Sequence, residues 1–471
     1  MNEAASDIVV VGGGMAGIVA GARAADLGLS VTLLERGTDE HYACNARWSG
    51  GVLHVAYTDI TSPPEALRAV IDRSTKSQAD AAQAEAIAAN AGRLVQWLGE
   101  KGATWVGTKV DWQQFILEPM RAMRAGLDWQ GRGPDVTMGR LAALIRKTGG
   151  RIVLGARARS LTMSGDRCTG VQAEIGGKRQ VYPARAVVLA DGGFQANFER
   201  LGRHIARHPD RVKQRGAANG TGDGLEMAEA VGAAVVGLDR FYGHILSRDA
   251  FGNDNVWPYP ELDALATSGV LVGRDGCRLT DEGLGGIAVT NALARSEDPL
   301  GATIIFDAAI WEGPGRSARI PANPTLEAAG GTVLKAPTLN ALALRAGLPA
   351  AALTATVASY NAAIASGGLD RLQPPRTSGR YKALPIVEAP FHAIPACAGI
   401  TYTMGGIRVD GQSRVLRADG LVIEGLYAAG SNTGGLEGHG DVAYMGGLAK
   451  AGIQGLVAAE SIAAGGKPAR R

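Results

Sequence analysis

Residues Ile8 to Val11 form a β-branched run, followed at once by Gly12-Gly13-Gly14-Met15-Ala16-Gly17 and an Ala-rich stretch to about Leu27. Strand, tight glycine turn and helix in that order constrain this chain more than any other feature. Gly12 permits the turn, Gly14 lets a pyrophosphate approach the backbone, and Gly17 lets the helix lie close on the strand. A second strand, Ser30 to Leu34, ends in Glu35, 23 residues after Gly12 (35 − 12). An acid there can accept both ribose hydroxyls of an adenine dinucleotide while the helix N-terminus faces the phosphates. The bland alternative is a glycine-rich turn inside a core. The motif alone does not separate NAD from FAD, because both present the same ADP half.

Composition narrows the remaining classes. The chain has 471 residues, several times the ~150-residue domain prior, which predicts one large α/β domain with an inserted partner, or two domains. Lys+Arg 48 against Asp+Glu 45 leaves a net charge of +3, too balanced for a protein that grips nucleic acid through a basic face. Gly is 67 of 471, roughly twice the usual ~7%, without a G-X-Y period, so the glycines need local reasons. Cys44, Cys168, Cys277 and Cys397 form no CxxC, zinc or haem spacing, and no metal is expected. No run approaches the ~18 apolar residues of a membrane span. The start, Met1 to Asp7, carries an acid and no basic region, so no signal peptide is expected and a cytoplasmic location follows.

Near the far end, Gly425 to Gly430 reads as a short buried strand ending in glycine, and Thr433-Gly434-Gly435 and Gly446-Gly447 precede a long helix to about Ala464. The chain thus returns to the nucleotide, and that helix N-terminus can stabilise negative charge on a reduced flavin ring. Together with Asn45-Ala46-Arg47-Trp48-Ser49-Gly50-Gly51, the Ala186 to Phe194 stretch with its Asp191-Gly192-Gly193, Asn219 to Gly224, and Gly405 to Asp410, these motifs arrive in the order of a known family. The chain resembles the fumarate reductase/succinate dehydrogenase flavoprotein superfamily along most of its length. Its departures resemble most the tricarballylate dehydrogenase-like branch: Asp281-Glu282-Gly283, Gly399 to Thr403, and the short loop from Asn45 to Gly50.

The resemblance implies an α/β fold: a Rossmann-like FAD-binding domain (three-layer ββα) with an inserted α+β capping domain. The expected division is 1–237 and 375–471 for the FAD-binding domain and 238–374 for the cap. Helices are predicted over Glu85–Lys101, Met138–Thr148 and Ala350–Ala365, and a hairpin over Arg151–Ala173 turning at Ser164-Gly165-Asp166. The basic end, Lys467 to Arg471, reads as solvated. FAD is expected to lie against Gly12, Gly14, Met15, Ala16, Gly17, Glu35, Arg36, Asn45, Ala46, Ser49, Gly50, Gly51, Ala158, Ala190, Asp191, Gly192, Asn219, Asp223, Gly430, Ser431, Gly446, Gly447 and Leu448. Cys44 adjoins this loop; a small buried residue is the default reading and thiolate attachment of the flavin the alternative.

In fumarate-reducing members an arginine four residues after the Glu of an Arg-Phe-x-Asn-Glu-like motif donates the proton. Here that motif is Arg278-Leu279-Thr280-Asp281-Glu282, and position 286 is glycine. The family's substrate-clamping histidine becomes Tyr402, its arginine before the last Gly-Gly becomes Tyr444, and its ribityl-contacting Glu becomes Ser431. Oxidation of a CH–CH bond next to a carboxylate or carbonyl of a small organic acid is therefore expected, with hydride passing to flavin N5. The candidate catalytic residues are His244, Arg278, Tyr402, Tyr444 and His439. His244 falls where the family binds a substrate carboxylate. The bland readings are a cap-surface histidine for His244, a surface salt bridge with Asp281 or Glu282 for Arg278, loop for His439, packing for His392, and a solvated face for Arg121 and Arg124. Competing functions are a reductase of an unsaturated acid, a ketosteroid-type desaturase, and a non-catalytic electron-relay subunit. A single strand–GxGxxG–helix unit gives no second nucleotide site, so electrons are expected to pass to an external acceptor: a quinone, oxygen or a redox protein.

Overall fold

The structure, a computed structural model, describes residues 5–121 and 124–465. The basic end read at Lys467 to Arg471 and the first four residues of the N-terminus lie outside the described residues. Strand β1 (Ser6–Val11) leads through the glycine turn into α1 (Met15–Asp26) and back along β2 (Val31–Glu35). Helices α2 (Ala81–Glu100) and α3 (Gly133–Lys147) follow, then β3 (Arg151–Leu154), β4 (Arg157–Ser164), β5 (Arg167–Ile175) and β6 (Lys178–Leu189).

β1 is the middle of a parallel sheet, paired with β2 on one side and β6 on the other, while β3 extends it beyond β2. The β-branched residues of β1 are buried on both faces, as parallel strands require. Ile8 and Val10 join the cluster built with α1, whereas Val9 and Val11 pack with Ala158, Val171 and Ala173 of an antiparallel layer. β6 belongs to both layers. Its first half pairs antiparallel with β5 and its second half parallel with β1, so one twelve-residue strand welds the two together. Helix, parallel sheet and antiparallel sheet make the three-layer ββα arrangement. The expected hairpin turns at residues 164–166, but Arg151–Leu154 departs from it to join the main sheet.

A second sheet is organised by β7 (Phe241–Ser247) and the thirteen-residue β8 (Phe391–Thr403). β8 pairs antiparallel with β7, Thr303–Phe306 and Leu334–Ala336, and parallel with Lys213–Gln214. This sheet draws strands from both sides of the expected 238–374 span: the hub, β8, comes after it. β9 (Val422–Ala428) then returns to the first sheet beside β6, and α4 (Gly447–Gly465) closes the chain. Among the described residues no helix is long and apolar enough to cross a membrane.

Helix α4 lies against α1 because glycine lets it. A Cβ on Gly455 would stand 2.3 Å from the Ala16 carbonyl oxygen, so the helices touch backbone to backbone. Gly455→Val should cost about 1–3 kcal/mol through overpacking, read as a lower denaturant midpoint; an unchanged midpoint would mean that the helices can part freely.

Candidate active site

A cavity of about 550 Å³ opens at the C-terminal ends of β1, β2 and β6, within the ~300–1,000 Å³ range of ligand sites. Its floor at one end is bare backbone. Gly12 has φ +94°, and a Cβ there would lie 2.5 Å from the Asp191 Cα. A Cβ on Gly17 would meet the Gly12 carbonyl oxygen at 1.9 Å, while one on Gly14 would meet nothing within 4 Å. The first turn of α1 therefore presents its unpaired amides across open space, which suits a pyrophosphate. Glu35 is buried and accepts the amides of Gly13 and Gly37, both at 2.7 Å. Each carboxylate oxygen keeps acceptor capacity for a ribose hydroxyl. Arg36 donates to the Asn219 carbonyl at 3.0 Å, and Asn45 ties the loop to the second sheet by accepting the Ala217 amide at 2.7 Å and donating to the Thr401 carbonyl at 2.8 Å. Asp191 accepts from Gly224 and Asn432, yet burial outweighs these bonds and pushes its pKa up to about 6. At the opposite wall Gly447 and Leu448 bring the N-terminus of α4 to the same cavity.

The far end of the cavity is aromatic. Tyr242 on β7 stands opposite Tyr402 on β8, and a register shift after Tyr242 leaves Thr401 without a partner, a bulge that re-aims side chains beside the cavity. Tyr242 stacks on Tyr444 with centroids 4.1 Å apart. His244 lies 2.6 Å through Nδ1 from the Asp263 Oδ2 and 2.8 Å through Nε2 from the Tyr242 hydroxyl. The other oxygen of Asp263 accepts the Ile245 amide at 2.9 Å, so the carboxylate is fixed to the strand that carries His244. Arg215 pairs with Glu261 and donates to the Thr401 hydroxyl. Behind Tyr402, the buried Glu437 accepts its hydroxyl at 3.2 Å and the Lys450 ammonium at 3.0 Å. Burial raises the pKa values of Tyr242 and Tyr402 well above the ordinary range and that of Tyr444 to about 12, so all three phenols are neutral donors at pH 7.

Every residue expected around FAD lines this cavity except Gly17 and Gly446. Gly17 provides helix–strand contact, and a Cβ on Gly446 would stand 2.2 Å from the His54 carbonyl oxygen, so both act behind the wall. Burial pushes the Cys44 thiol up to about 11, which favours the small buried residue over a thiolate that attaches flavin. His244, Tyr402 and Tyr444 meet in the cavity, but Arg278 and His439 do not line it. The Arg278 guanidinium is spent on Glu282 and on the carbonyls of Thr280, Pro374 and Pro375. It is a salt bridge with Glu282, but a buried one rather than the surface pair expected, because both side chains are enclosed by the chain around Pro374 and Pro375. His439 has φ +60° and its carbonyl accepts from Arg240, which makes it part of a turn. His392 packs against both Phe306 and Trp311, which also touch each other, a packing role. Sequence reading missed Tyr242, Asp263, Glu437, Lys450 and His54. Tyr242 was findable, two residues before His244 on one strand and so on the same face; Asp263 and Glu437 are joined to their partners by no local spacing.

The sequence model of the FAD binding domain family matches residues 7–442. NADH:acrylate oxidoreductase of Vibrio harveyi is 30% identical over 361 residues, 73% of this chain, and the chain spans 33% of the length of that relative. Fumarate reductase (cytochrome) of Shewanella frigidimarina is 27% identical over 449 residues, covering 92% of this chain and 72% of its own. The solved 3-ketosteroid-delta4-(5alpha)-dehydrogenase from Rhodococcus jostii RHA1 shares the fold, with a TM-score of 0.73, 22% identity and 98% of each chain covered.

Two measurements separate architecture from chemistry here. Arg278→Ala leaves the buried Glu282 with only the more distant Arg376 as a cation and should cost about 3–5 kcal/mol of stability while the flavin spectrum of the folded fraction stays unchanged; a stable variant with lost activity would return Arg278 to the site. His54 is 4% exposed, and burial lowers its pKa from 6.5 to about 3. Between those values the unfolded chain binds the extra proton, so this contribution to stability is whole above pH 6.5 and is lost as pH falls toward 3. His54→Phe should show a shallower loss of denaturant midpoint across that window; parallel curves would refute it.

Proposed function

Because the chain belongs to the FAD binding domain family, within the fumarate reductase/succinate dehydrogenase flavoprotein superfamily, we propose that it is an FAD-dependent oxidoreductase that dehydrogenates a CH–CH bond next to the carbonyl or carboxylate of a small organic molecule. FAD bound along Gly12 to Ala16, Glu35 and the N-terminus of α4 supplies the hydride acceptor. The single observation that carries the reading is that the nucleotide cradle and the cluster of Tyr242, His244, Tyr402 and Tyr444 line one cavity.

Neutral phenols suit an oxygen that gains negative charge as the neighbouring carbon loses a proton. The Tyr444 oxygen accepts the Gly447 amide at 3.0 Å and keeps its own proton to give, and Tyr402 is held in place by Glu437. The charge balance favours a ketone or a monoacid over a tricarballylate-like substrate. Of the cavity-lining arginines, Arg215 is already paired with Glu261 and Arg157 with Asp223, Arg36 donates to Asn219 and Thr221 beside the nucleotide cradle, and Arg319 remains. Three carboxylates would meet Glu261 with too little positive charge. Electrons then pass to an external acceptor: a quinone, oxygen or a redox protein.

The test is anaerobic mixing of the holoenzyme with cyclohexanone, succinate or tricarballylate, following loss of the oxidised-flavin absorption, and of the dithionite-reduced holoenzyme with fumarate or acrylate. Bleaching by the ketone is the expected result. Reoxidation by fumarate or acrylate with no bleaching by any saturated compound would make the protein a reductase. Indifference to all five would support the electron-relay alternative.

A further inference from the structure

The position that would carry the family's proton-donating arginine is Gly286, and its emptiness is used. A Cβ on Gly286 would stand 2.2 Å from the Asp263 carboxyl carbon and from Oδ2, so Asp263 occupies the space that any side chain at 286 would need. From there Asp263 reaches His244, and His244 reaches Tyr242. Both imidazole nitrogens are therefore engaged, which leaves His244 without a free nitrogen to clamp a substrate carboxylate.

On the functional reading above, we infer that Tyr242 is the catalytic base for the substrate α-carbon, and that it passes its own proton to His244, held in the required tautomer by Asp263. With the Asp263 carboxylate as acceptor, the Nδ1 proton points to it and Nε2 is left to accept the Tyr242 hydroxyl proton. The α C–H bond breaks and its proton goes to the Tyr242 oxygen. The Tyr242 O–H proton moves to His244 Nε2, and the imidazolium is balanced by Asp263. The electron pair of the broken bond shifts onto the carbonyl oxygen, giving an enolate that the Tyr444 hydroxyl can hold, since the Tyr402 proton is given to Glu437. No free phenolate forms, which matters because burial makes one costly at this position. The arrangement has the order of a serine triad with a phenol in place of the nucleophile, and here it moves a proton only.

The surroundings fit that charge movement. Glu261 stands 3.5 Å from Nε2, paired with Arg215, while Tyr444, Tyr57 and Tyr402 crowd the phenol from the other elements. Tyr242 and His244 line the cavity and count as catalytic. Asp263 does not line it and is a positioning residue.

Proton transfer can be read apart from hydride transfer. In D2O, the holoenzyme with its flavin reduced by dithionite should wash deuterium into the α-carbons of cyclohexanone, followed by mass spectrometry. Tyr242→Phe should lower wash-in ~100-fold or more, in the range of general acid–base effects, with bound FAD retained. His244→Ala should lose it similarly and regain part on addition of imidazole, a rescue that a merely structural role would not give. Asp263→Asn should lose about ten-fold. Undiminished wash-in by Tyr242→Phe, or His244→Ala unrescued by imidazole, overturns the relay while leaving the functional reading intact if cyclohexanone still bleaches the wild-type flavin. A wild-type enzyme that cyclohexanone neither bleaches nor exchanges overturns the ketone reading, and the relay falls with it.

Discussion

The approach of Gly12 to Asp191 fixes the rest of the site. The ends of β1 and β6 come so close that no Cβ fits between them, and the helix after β1 is held as tightly by Gly17. Main chain, rather than side chain, is therefore what the cavity offers at this end, and amides at a helix start bind phosphate without needing a counter-ion. The same closeness explains the brace around it. Glu35 and Tyr42 hold the glycine loop from the second strand side, through the Gly13 amide and carbonyl, so a flexible sequence is kept in one shape.

Buried charge is handled differently in the two halves of the molecule. In the second sheet, Arg278 and Arg376 close on Glu282, with all three side chains at most 3% exposed. Such a cluster adds little net stability against apolar residues, but removal of any member leaves a bare charge, so it fixes how Pro374–Arg376 docks. Beside the cavity, Glu437 and Lys450 neutralise each other while Tyr402 borrows an acceptor from the pair. The first cluster is purely architectural. The second keeps one phenol oriented in an otherwise apolar wall, which a lone buried tyrosine without a partner could not ensure.

Much of the fold was legible because its signals are local. The strand–glycine–helix unit, the hairpin turning at Ser164 to Asp166 and the helix from Ala350 each announce themselves through turn residues or periodicity. Helix α2 begins at Ala81, four residues before the expected start, because Asp80 caps it by accepting the Gln83 amide, a bond that composition does not display. Of β6 only the end within the Ala186 to Phe194 stretch was read, since a strand that changes partner midway has no single pattern along its length. The candidate site divides along the same line. The nucleotide cradle rests on glycine spacing and could be read; the polar cluster depends on residues such as Asp263 and Glu437, whose partners are brought to them by the second sheet and by α4.

The exchange at residue 286 shows why motif matching alone misplaces the chemistry here. An arginine there and an aspartate at 263 cannot share the same volume without moving, given the 2.2 Å that a single added carbon would leave. Loss of the arginine is thus more than a missing group: it opens the space through which Asp263 backs His244. A phenol backed by a neutral imidazole and a carboxylate is suited to taking a proton. On the proposed reading, the space at Gly286 holds the carboxylate behind a proton-accepting chain of Tyr242 and His244 rather than an arginine, and this favours oxidation more than any resemblance of the flanking glycines does.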